Sequence, residues 1–203
     1  MNEVDQKLKK VLQDLHTLVN RKIPVATGKI AKDHFQDNFR KGGFVNGGLQ
    51  PWPPAKRLSS GDTSAAAQHG TLLSSRNHLF SSISYRPGTA QVTIFNDVAY
   101  AEIHNDGGTV HPKITPKMRR YAWAKYYELG GGGKGPQKGR KGAKNGNPAS
   151  IPKAAEKWKA LALTKKESLT IKIPKRQFMG PSEELNARLN AYVEKEVLRI
   201  LNQ

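Results

Sequence analysis

The amino-acid sequence predicts an α+β fold in which N-terminal and C-terminal α-helices pack on a small antiparallel β-sheet, with a basic, glycine-rich helical insertion. Apolar residues recur every three or four positions near both ends of the chain, a spacing typical of amphipathic helices. Residues 91–96, QVTIFN, show an alternating pattern that includes β-branched side chains, and this pattern favours a strand. We therefore expect a single domain over residues 1–203, with an insertion at residues 113–166.

Two helices are expected before residue 43. The apolar face of the first is formed by Val4, Leu8, Val11, Leu12, Leu15, Leu18 and Val19. This helix is expected to stop near Ile23, because the residue before Pro24 is disfavoured in a helical conformation. The second helix is expected to end at Gly42-Gly43, since glycine accepts the left-handed cap conformation. The two would form a helical hairpin or a kinked pair.

The segment after these helices is predicted to be loop. Residues 44–57 contain a Gly-Gly pair and three prolines around Trp52. We expect the Trp52 ring to be anchored on its own domain or on a partner, because a large apolar ring is costly to leave in water. Residues 59–70 are small and polar, which favours a flexible excursion. A short helix is then expected through Leu72, Leu73, Leu79 and Phe80.

A β-hairpin and another short helix are expected in the middle of the chain. Residues 83–86 and 91–96 are predicted to pair as antiparallel strands around a turn at Pro87-Gly88. Asp97 is the expected N-cap of a short helix that ends at Gly107. A strand that continues to Ile103 is the alternative.

The insertion is expected to contain helices on both sides of a mobile loop. Pro116 should begin the first helix, which extends to Leu129. Residues 130–148 are mainly glycine and lysine with almost nothing to bury, so this loop is predicted to be mobile. A helix at residues 152–163 and a strand at residues 169–173, which returns the chain to the sheet, are expected to follow.

The C-terminal helix is predicted to begin at Pro181 and Ser182, with Glu183 and Glu184 in its first turn, where the helix dipole favours acidic residues. Its apolar face comprises Leu185, Leu189, Tyr192, Val193, Val197, Ile200 and Leu201. The two terminal helices therefore offer apolar faces to one core.

Composition excludes several classes of function. The chain has no cysteine, which excludes disulfides, iron–sulfur clusters and thiol nucleophiles. No apolar run approaches the ~18 residues that a membrane span needs, and the N-terminus lacks the basic and apolar regions of a signal peptide. We expect a soluble protein of the cytosol, without contact with a membrane.

The positive charge is concentrated in one part of the chain. The formal net charge is +18, and 13 Lys and Arg against two Glu between residues 130 and 176 contribute +11 of it. Such a surplus is typical of a polyanion partner, most often nucleic acid. The candidate non-specific DNA contacts on the loop are Lys134, Lys138, Arg140, Lys141 and Lys144. A solvated basic loop without a ligand is the alternative interpretation.

Catalytic and metal chemistry are not supported by the residue pattern. His104 and His111 lack the spacing of a helical zinc pair, and Asp106 supplies at most one oxygen ligand. No G-x-S-x-G elbow presents a nucleophile, and GGGGKG lacks the phosphate-binding loop pattern. For His104 we favour a hydrogen bond that pins the turn before Gly107. We expect no enzymatic activity, no metal and no cofactor.

Two distant segments form a recognisable pair. The first has Tyr100, Ala101, Ile103 and His104 ahead of an Asn-Asp-Gly-Gly turn. The second has Pro174, Arg176, Phe178, Met179 and Gly180 just before the last helix. Together they resemble the phage virion morphogenesis family, of the Mu G-like tail-completion or head–tail neck type, in which a "YAxIHxxGG" segment is followed later by an "IPxRxFxG" segment. Trp52-Pro53 and the run from Leu73 to Ile83 occur in the expected order.

Two features depart from the family pattern. Gln177 and Met179 stand where the family usually has proline and leucine, which keeps the apolar packing but makes the rigid turn less assured. The lysine-rich insertion is longer than the common core requires, so the resemblance implies nothing about its function.

The resemblance implies a structural role at the junction of phage head and tail. It implies an α+β neck or tail-completion subunit that assembles with copies of itself in a ring, between the head connector and the tail tube or terminator proteins. The expected location is the virion, at the head–tail junction or in the tail. The residues expected to shape the core and the contact surface are Trp52, Tyr100, Ile103, His104, Gly107, Gly108, Arg176, Phe178 and Gly180. The alternative function is that of a non-specific basic DNA-binding protein.

Overall fold

The computed structural model describes residues 3–59, 68–130 and 153–202. The chain divides into two compact units. The first comprises Met1–Gly108 and Ile173–Gln203, and the second comprises Thr109–Lys172. Within the described residues, helices are combined with three small antiparallel two-stranded sheets, which confirms the α+β class. The single sheet expected from the sequence is replaced by three separate pairs.

The first unit begins with a continuous but irregular helical segment. Helix α1 (Glu3–Thr17) is followed by a π-helical turn at Leu18–Lys22 and by helix α2 (Ile23–Lys41). Ile23 remains helical, so the expected stop before Pro24 is wrong. Pro24 is tolerated because it lies in the first turn of α2, where a backbone N–H is not required. Gly42 ends α2 in the left-handed conformation, as predicted.

The segment predicted to be loop after α2 contains a small hairpin. Strands β1 (Gly43–Val45) and β2 (Leu49–Pro51) pair antiparallel, and a 3₁₀ turn follows at Lys56–Ser59. The hairpin forms despite its loop-like composition because Phe44 in β1 and Trp52 directly after β2 are buried in the core. The backbone N–H of Trp52 also donates to the carbonyl of Gly42 at 2.9 Å.

A second hairpin packs against helix α2. Strands β3 (Ile83–Gly88) and β4 (Gln91–Asn96) confirm the predicted antiparallel pair. The turn lies at residues 89–90 and not at Pro87-Gly88, because those two residues pair with Val92 and Gln91 and lengthen the strand. The helix expected through residues 72–80 is limited to α3 (His78–Ser81).

Helix α4 (Ala101–Asp106) confirms the short helix predicted after β4, and the alternative of a strand to Ile103 is wrong. The N-cap position is held by Tyr100 and not by Asp97, so that prediction is wrong. The side chain of Asn96 bonds to the backbone of Val98 and turns the chain before the helix begins. The helix ends at Gly107, as predicted, where φ is 75°.

The C-terminal helix α7 (Glu183–Leu201) completes the first unit. The Ser182 hydroxyl caps it by accepting from the N–H of Leu185 at 3.2 Å, which confirms the predicted start. Glu184 accepts hydrogen bonds from the N–H groups of Gly47 and Gly48, and Asn46 accepts from the N–H of Glu183. These bonds fasten the first turn of α7 to the β1–β2 hairpin.

Aromatic residues form the centre of the core of the first unit. Phe39 and Phe178 are each 1% exposed, and their ring centroids lie 5.1 Å apart. The ring of Trp52 meets Phe39 edge to face at 5.4 Å. The core therefore joins helix α2, the residue that directly follows β2 and the segment before α7. These three parts are far apart in the sequence.

The second unit is built on a pair of helices, α5 (Pro116–Glu128) and α6 (Lys153–Leu163). Thr115 caps α5 by accepting from the N–H of Met118. Strands β5 (Gly108–Val110) and β6 (Ile171–Ile173) pair with each other. Within the part of the chain that the structure describes, β6 does not rejoin β3 and β4, so the expected return to one sheet is wrong.

Replacing Phe178 with Ala is expected to lower the free energy of unfolding by roughly 3–5 kcal/mol, because a fully buried ring leaves a cavity among Phe39 and Trp52. Denaturant titration of the purified variant measures this change. Leu49→Ala, at a position that is 50% exposed in the same unit, is the control and should change little. A loss under about 1 kcal/mol for Phe178→Ala would remove this residue from the core.

Candidate interaction site

The segment Pro174–Gly180, called the motif segment below, is held by side chains from distant parts of the first unit. It forms no regular helix or strand. Its backbone polar groups therefore need partners outside regular secondary structure. Asn38, Trp52 and Asn105 supply them through their side chains.

Asn105 is the main partner of the backbone N–H groups. Its Oδ1 accepts from the N–H of Phe178 at 2.9 Å and from the N–H of Met179 at 3.0 Å. Its Nδ2 donates to the carboxylate of Asp106 at 2.8 Å, which orients the amide. One side chain from the Asn-Asp-Gly-Gly turn thus fixes the middle of the motif segment.

Asn38 holds the opposite side of the same segment. Its Nδ2 donates to the carbonyl of Phe178 at 3.1 Å, and its Oδ1 accepts from the N–H of Val45 at 3.2 Å. The residue is completely buried. It therefore joins α2, the β1 strand and the motif segment in the core.

Arg176 and Trp52 connect the motif segment to the proline-rich loop, residues 51–54. Each of the two side chains donates hydrogen bonds to backbone carbonyls of the other segment. The Arg176 Nε donates to the carbonyl of Pro53 at 2.8 Å, and its guanidinium also reaches the carbonyl of Pro54. The Trp52 Nε1 donates to the carbonyl of Gln177 at 2.7 Å. Burial, together with the nearby cation of Arg57, lowers the pKa of Arg176 below its ordinary value. Arg176 is thus a structural residue whose partners are carbonyl oxygens.

The turn at His104 is pinned by its backbone and not by its imidazole. The His104 carbonyl accepts from the N–H of Arg176 at 2.9 Å. Its Nδ1 is buried and has no hydrogen-bond partner among the described residues, so the expected side-chain bond is wrong. The ring instead meets Tyr100 edge to face at 5.8 Å. Burial, followed by the charge of Arg176, lowers the pKa of His104.

Gly107 is required by a close backbone approach. Its φ of 75° disfavours other residues, and a Cβ atom there would lie 2.7 Å from the backbone nitrogen of Lys175. This contact brings the two motif regions together directly. The structure thereby explains why a glycine stands at the end of α4.

The nine residues selected from the sequence fall into three groups. Trp52, Arg176 and Phe178 are buried. Ile103, His104, Gly107 and Gly180 are partly buried, whereas Tyr100 and Gly108 are exposed. A cavity of about 210 Å³ brings three of the nine together, and it is lined by Ala55, Arg57, Leu72, Leu73, Ser74, Leu79, Tyr100, His104 and Arg176.

Asn38 and Asn105 are the site residues that the sequence interpretation did not select. Asn38 lies between Phe35 and Phe39 on the apolar face of α2. A polar residue on a buried face requires hydrogen-bond partners in the core. The position of Asn38 on the apolar face could therefore have identified it from the sequence. Asn105 stands inside the Asn-Asp-Gly-Gly turn, but its partners are 73 and 74 residues away and are not visible in the sequence.

The candidate DNA contacts Lys134, Lys138, Arg140, Lys141 and Lys144 lie outside the described residues. In the part that the structure describes, no group of three His, Asp or Glu side chains is arranged to hold a metal ion. No helix there is both long and apolar enough to cross a bilayer. The described site consists of packed rings and backbone hydrogen bonds.

An α+β core closed by two distant motifs, with a site built from packing and hydrogen bonds, has the character of a structural protein. The family model of the phage virion morphogenesis family matches residues 1–198, which is nearly the whole chain. The chain belongs to the phage virion morphogenesis family, and its role is a structural one in the assembly of a phage particle. No curated protein and no solved structure gives a significant match.

Replacing Asn105 with Ala is expected to lower the free energy of unfolding by about 2 kcal/mol, because two backbone N–H groups lose their acceptor. Thermal and denaturant unfolding measure this loss. The matched control is Asn186→Ala, at an exposed position on α7. Equal stability of the two variants would show that Asn105 does not hold the motif segment.

Acidification is expected to destabilise the first unit through its buried histidines. Burial lowers the pKa of His34 and of His104 below the ordinary value of 6.5. Below that pH the unfolded chain binds protons that the folded chain does not, so stability is lost as the pH falls from 6.5 towards the folded pKa values.

Unfolding measured across this pH range checks the expectation. The double variant His34→Gln/His104→Gln should show a smaller loss of stability on acidification than the unchanged protein. His16→Gln, at an exposed position, should leave the pH dependence unchanged. The same pH dependence in all three proteins would contradict the assignment.

Proposed function

We propose that this protein is a ring subunit that acts in tail completion or head–tail joining. Its proposed partners are other copies of itself, the head connector, and the tail tube or terminator proteins. It would be made in the bacterial cytoplasm and located in the virion, at the head–tail junction or in the tail. The mechanism is recognition between surfaces, without catalysis. Family membership supports the structural role, and the exposed apolar residues of α1 support self-assembly.

The observation that carries self-assembly is the exposed apolar face of α1. This amphipathic helix has no buried residue. Val4, Leu8 and Leu12 are 68%, 58% and 57% exposed. Helix α1 also contacts α7 of its own chain, but these three side chains remain largely in water. Exposed apolar side chains gain free energy from a partner surface, so this part of the face would be stabilised by a second protein surface.

Charge does not prevent a second copy of the same chain from being that partner. The whole protein carries +18, so most pairs of surfaces on two copies repel each other. Helix α1 has three acidic and three basic residues, and α7 has four acidic and three basic residues. Like-charge repulsion is weakest where these near-neutral helices meet.

Exposed apolar residues on α7 provide a surface for the neighbouring α1. Leu198 and Leu201, near the end of α7, are 48% and 56% exposed. Contact between α1 of one copy and α7 of the next would be head-to-tail. Such contacts must close into a ring, because otherwise they extend into filaments.

The motif segment would give this subunit a rigid surface for the other virion proteins. Its hydrogen bonds to Asn38, Asn105 and Trp52 hold the proline-rich loop close to α4. Tyr100 is 45% exposed at the edge of this site. A surface positioned in this way can dock on a partner without a large ordering cost.

Changing Leu8 and Leu12 to Glu is expected to convert the oligomer into a monomer, because charges on the α1 face would be buried in the contact. Size-exclusion chromatography with light scattering measures the mass. Leu163→Glu is the matched control, since Leu163 is also 58% exposed but lies on α6. A monomeric unchanged protein, or equal assembly of both variants, would contradict self-assembly through α1.

The biological role is tested by deleting the gene from its phage and then restoring either the unchanged gene or the Leu8→Glu/Leu12→Glu gene. Electron microscopy of the deletion lysate should show full heads beside unattached or overlong tails. The unchanged gene should restore joined particles, whereas Leu8→Glu/Leu12→Glu should not. Normal infectious particles after deletion would exclude a joining or completion role.

A further inference from the structure

The second unit contains a positively charged pocket that the proposed ring does not use. The pocket has a volume of about 570 Å³. Its charged and polar lining includes His111, Lys113, Arg119, Lys165, Lys166 and Glu167. All of these residues belong to Thr109–Lys172, so one unit of one chain forms the complete pocket.

Backbone hydrogen bonds give the pocket a defined frame. The N–H of Ile114 donates to the carbonyl of Glu167 at 2.7 Å, and the N–H of Leu169 donates to the carbonyl of Pro112 at 2.9 Å. A β-bridge between them places Lys113 opposite Ser168. The extended segments on the two sides of the pocket are thus held in register.

Arg119 stabilises the frame and is not free to bind a ligand. Its guanidinium donates to the carbonyls of Ala162, Thr164 and Lys166, at the end of α6 and just beyond it. These bonds fix the turn that carries Lys165 and Lys166. The guanidinium N–H groups with which arginine binds a carboxylate therefore already have protein acceptors.

Three lysines remain as uncompensated charges at this pocket. Lys113, Lys165 and Lys166 are exposed, and their ammonium groups form no ion pair among the described residues. Among the described residues that line the pocket, Glu167 is the single carboxylate, so the lining has three lysines with no ion pair against one acidic group.

The chemistry of these groups favours phosphate over carboxylate. Lysine ammonium groups act as point charges, which suit phosphate oxygens and do not require a bidentate geometry. The unit as a whole has 16 Lys and Arg against three Glu, so its field attracts a long polyanion. A nucleic-acid backbone supplies phosphates at regular spacing along such a surface.

The aromatic residues of the unit indicate a contact with the backbone and not with the bases. The rings form contacts with one another, as in the Tyr121–Trp158 and Trp123–Tyr127 pairs. None of these rings lines the pocket. These rings are therefore not placed to stack on bases at the pocket, as aromatic side chains do in proteins that bind single strands.

We infer that the pocket at Lys113, Lys165 and Lys166 is a phosphate-binding site that contacts the backbone of duplex DNA without reading its sequence. This inference goes beyond the proposed ring function. It does not require the ring, because the binding groups all belong to one unit. It also differs from the loop contacts predicted from the sequence, since Lys113, Lys165 and Lys166 are not among the loop residues selected there.

The test is a salt titration of binding to a fluorescent duplex, followed by anisotropy. The pocket variant changes Lys113, Lys165 and Lys166 to Gln, and the control changes Lys117, Lys153 and Lys157 to Gln. The control removes the same charge from exposed positions that do not line the pocket. Circular dichroism and thermal unfolding verify that both variants are folded.

The pocket variant should lose affinity, and its slope of log affinity against log salt should fall by about 2.7, or about 0.9 for each lost phosphate contact. The control should keep a slope close to that of the unchanged protein. Equal losses in both variants would overturn the inference in favour of general charge attraction. No loss in the pocket variant would overturn it as well.

Two competitors identify the ligand chemistry. Inorganic phosphate at constant ionic strength should compete weakly, whereas unlabelled duplex should compete strongly. Equal competition by polyglutamate of the same charge would overturn the preference for phosphate. Binding of inorganic phosphate without binding of duplex would overturn the assignment to DNA.

The same titration on the Leu8→Glu/Leu12→Glu protein separates this inference from the proposed function. Retained duplex binding by that variant would support a site that is complete in one chain. Loss of binding together with assembly would overturn it, because the site would then depend on neighbouring copies.

Discussion

The first unit depends on hydrogen bonds that fix an irregular backbone segment inside an apolar core. Phe178 lies at the centre of that core, but the motif segment around it forms no regular helix or strand. The amides of Asn38 and Asn105 meet the carbonyl and the N–H of Phe178 from opposite sides. Without them, burying the ring would also bury unpaired backbone groups, at a cost of the same order as the gain from the ring itself.

A second set of bonds extends this arrangement to the end of the chain. Glu184 accepts from Gly47 and Gly48, and these hydrogen bonds lower the pKa of its carboxyl group. Asn46 accepts in return from the N–H of Glu183. The first turn of α7 and the β1–β2 hairpin thus satisfy each other's backbone groups. The C-terminal helix is positioned as firmly as the motif segment that precedes it.

Charge is distributed in accordance with the two proposed kinds of contact. The α1 and α7 helices are close to neutral and expose leucine, which suits association between copies. Thr109–Lys172 carries most of the net positive charge and supplies the lysine pocket, which suits a polyanion. The apolar helices and the lysine pocket belong to different units, so the proposed self-association would use residues where like-charge repulsion is weakest.

The sequence by itself determined the α+β class, the helices at both ends, the β3–β4 hairpin, the Ser182 cap and the family. Each of these depends on local periodicity, on a cap residue or on a motif that is readable within a few positions. Only the tertiary structure decided that residues 43–51 form a hairpin, because Phe44 and Trp52 are buried by distant partners. It also decided that Asn105 and not the His104 imidazole pins the motif region, since the acceptor and its donors are more than 70 residues apart.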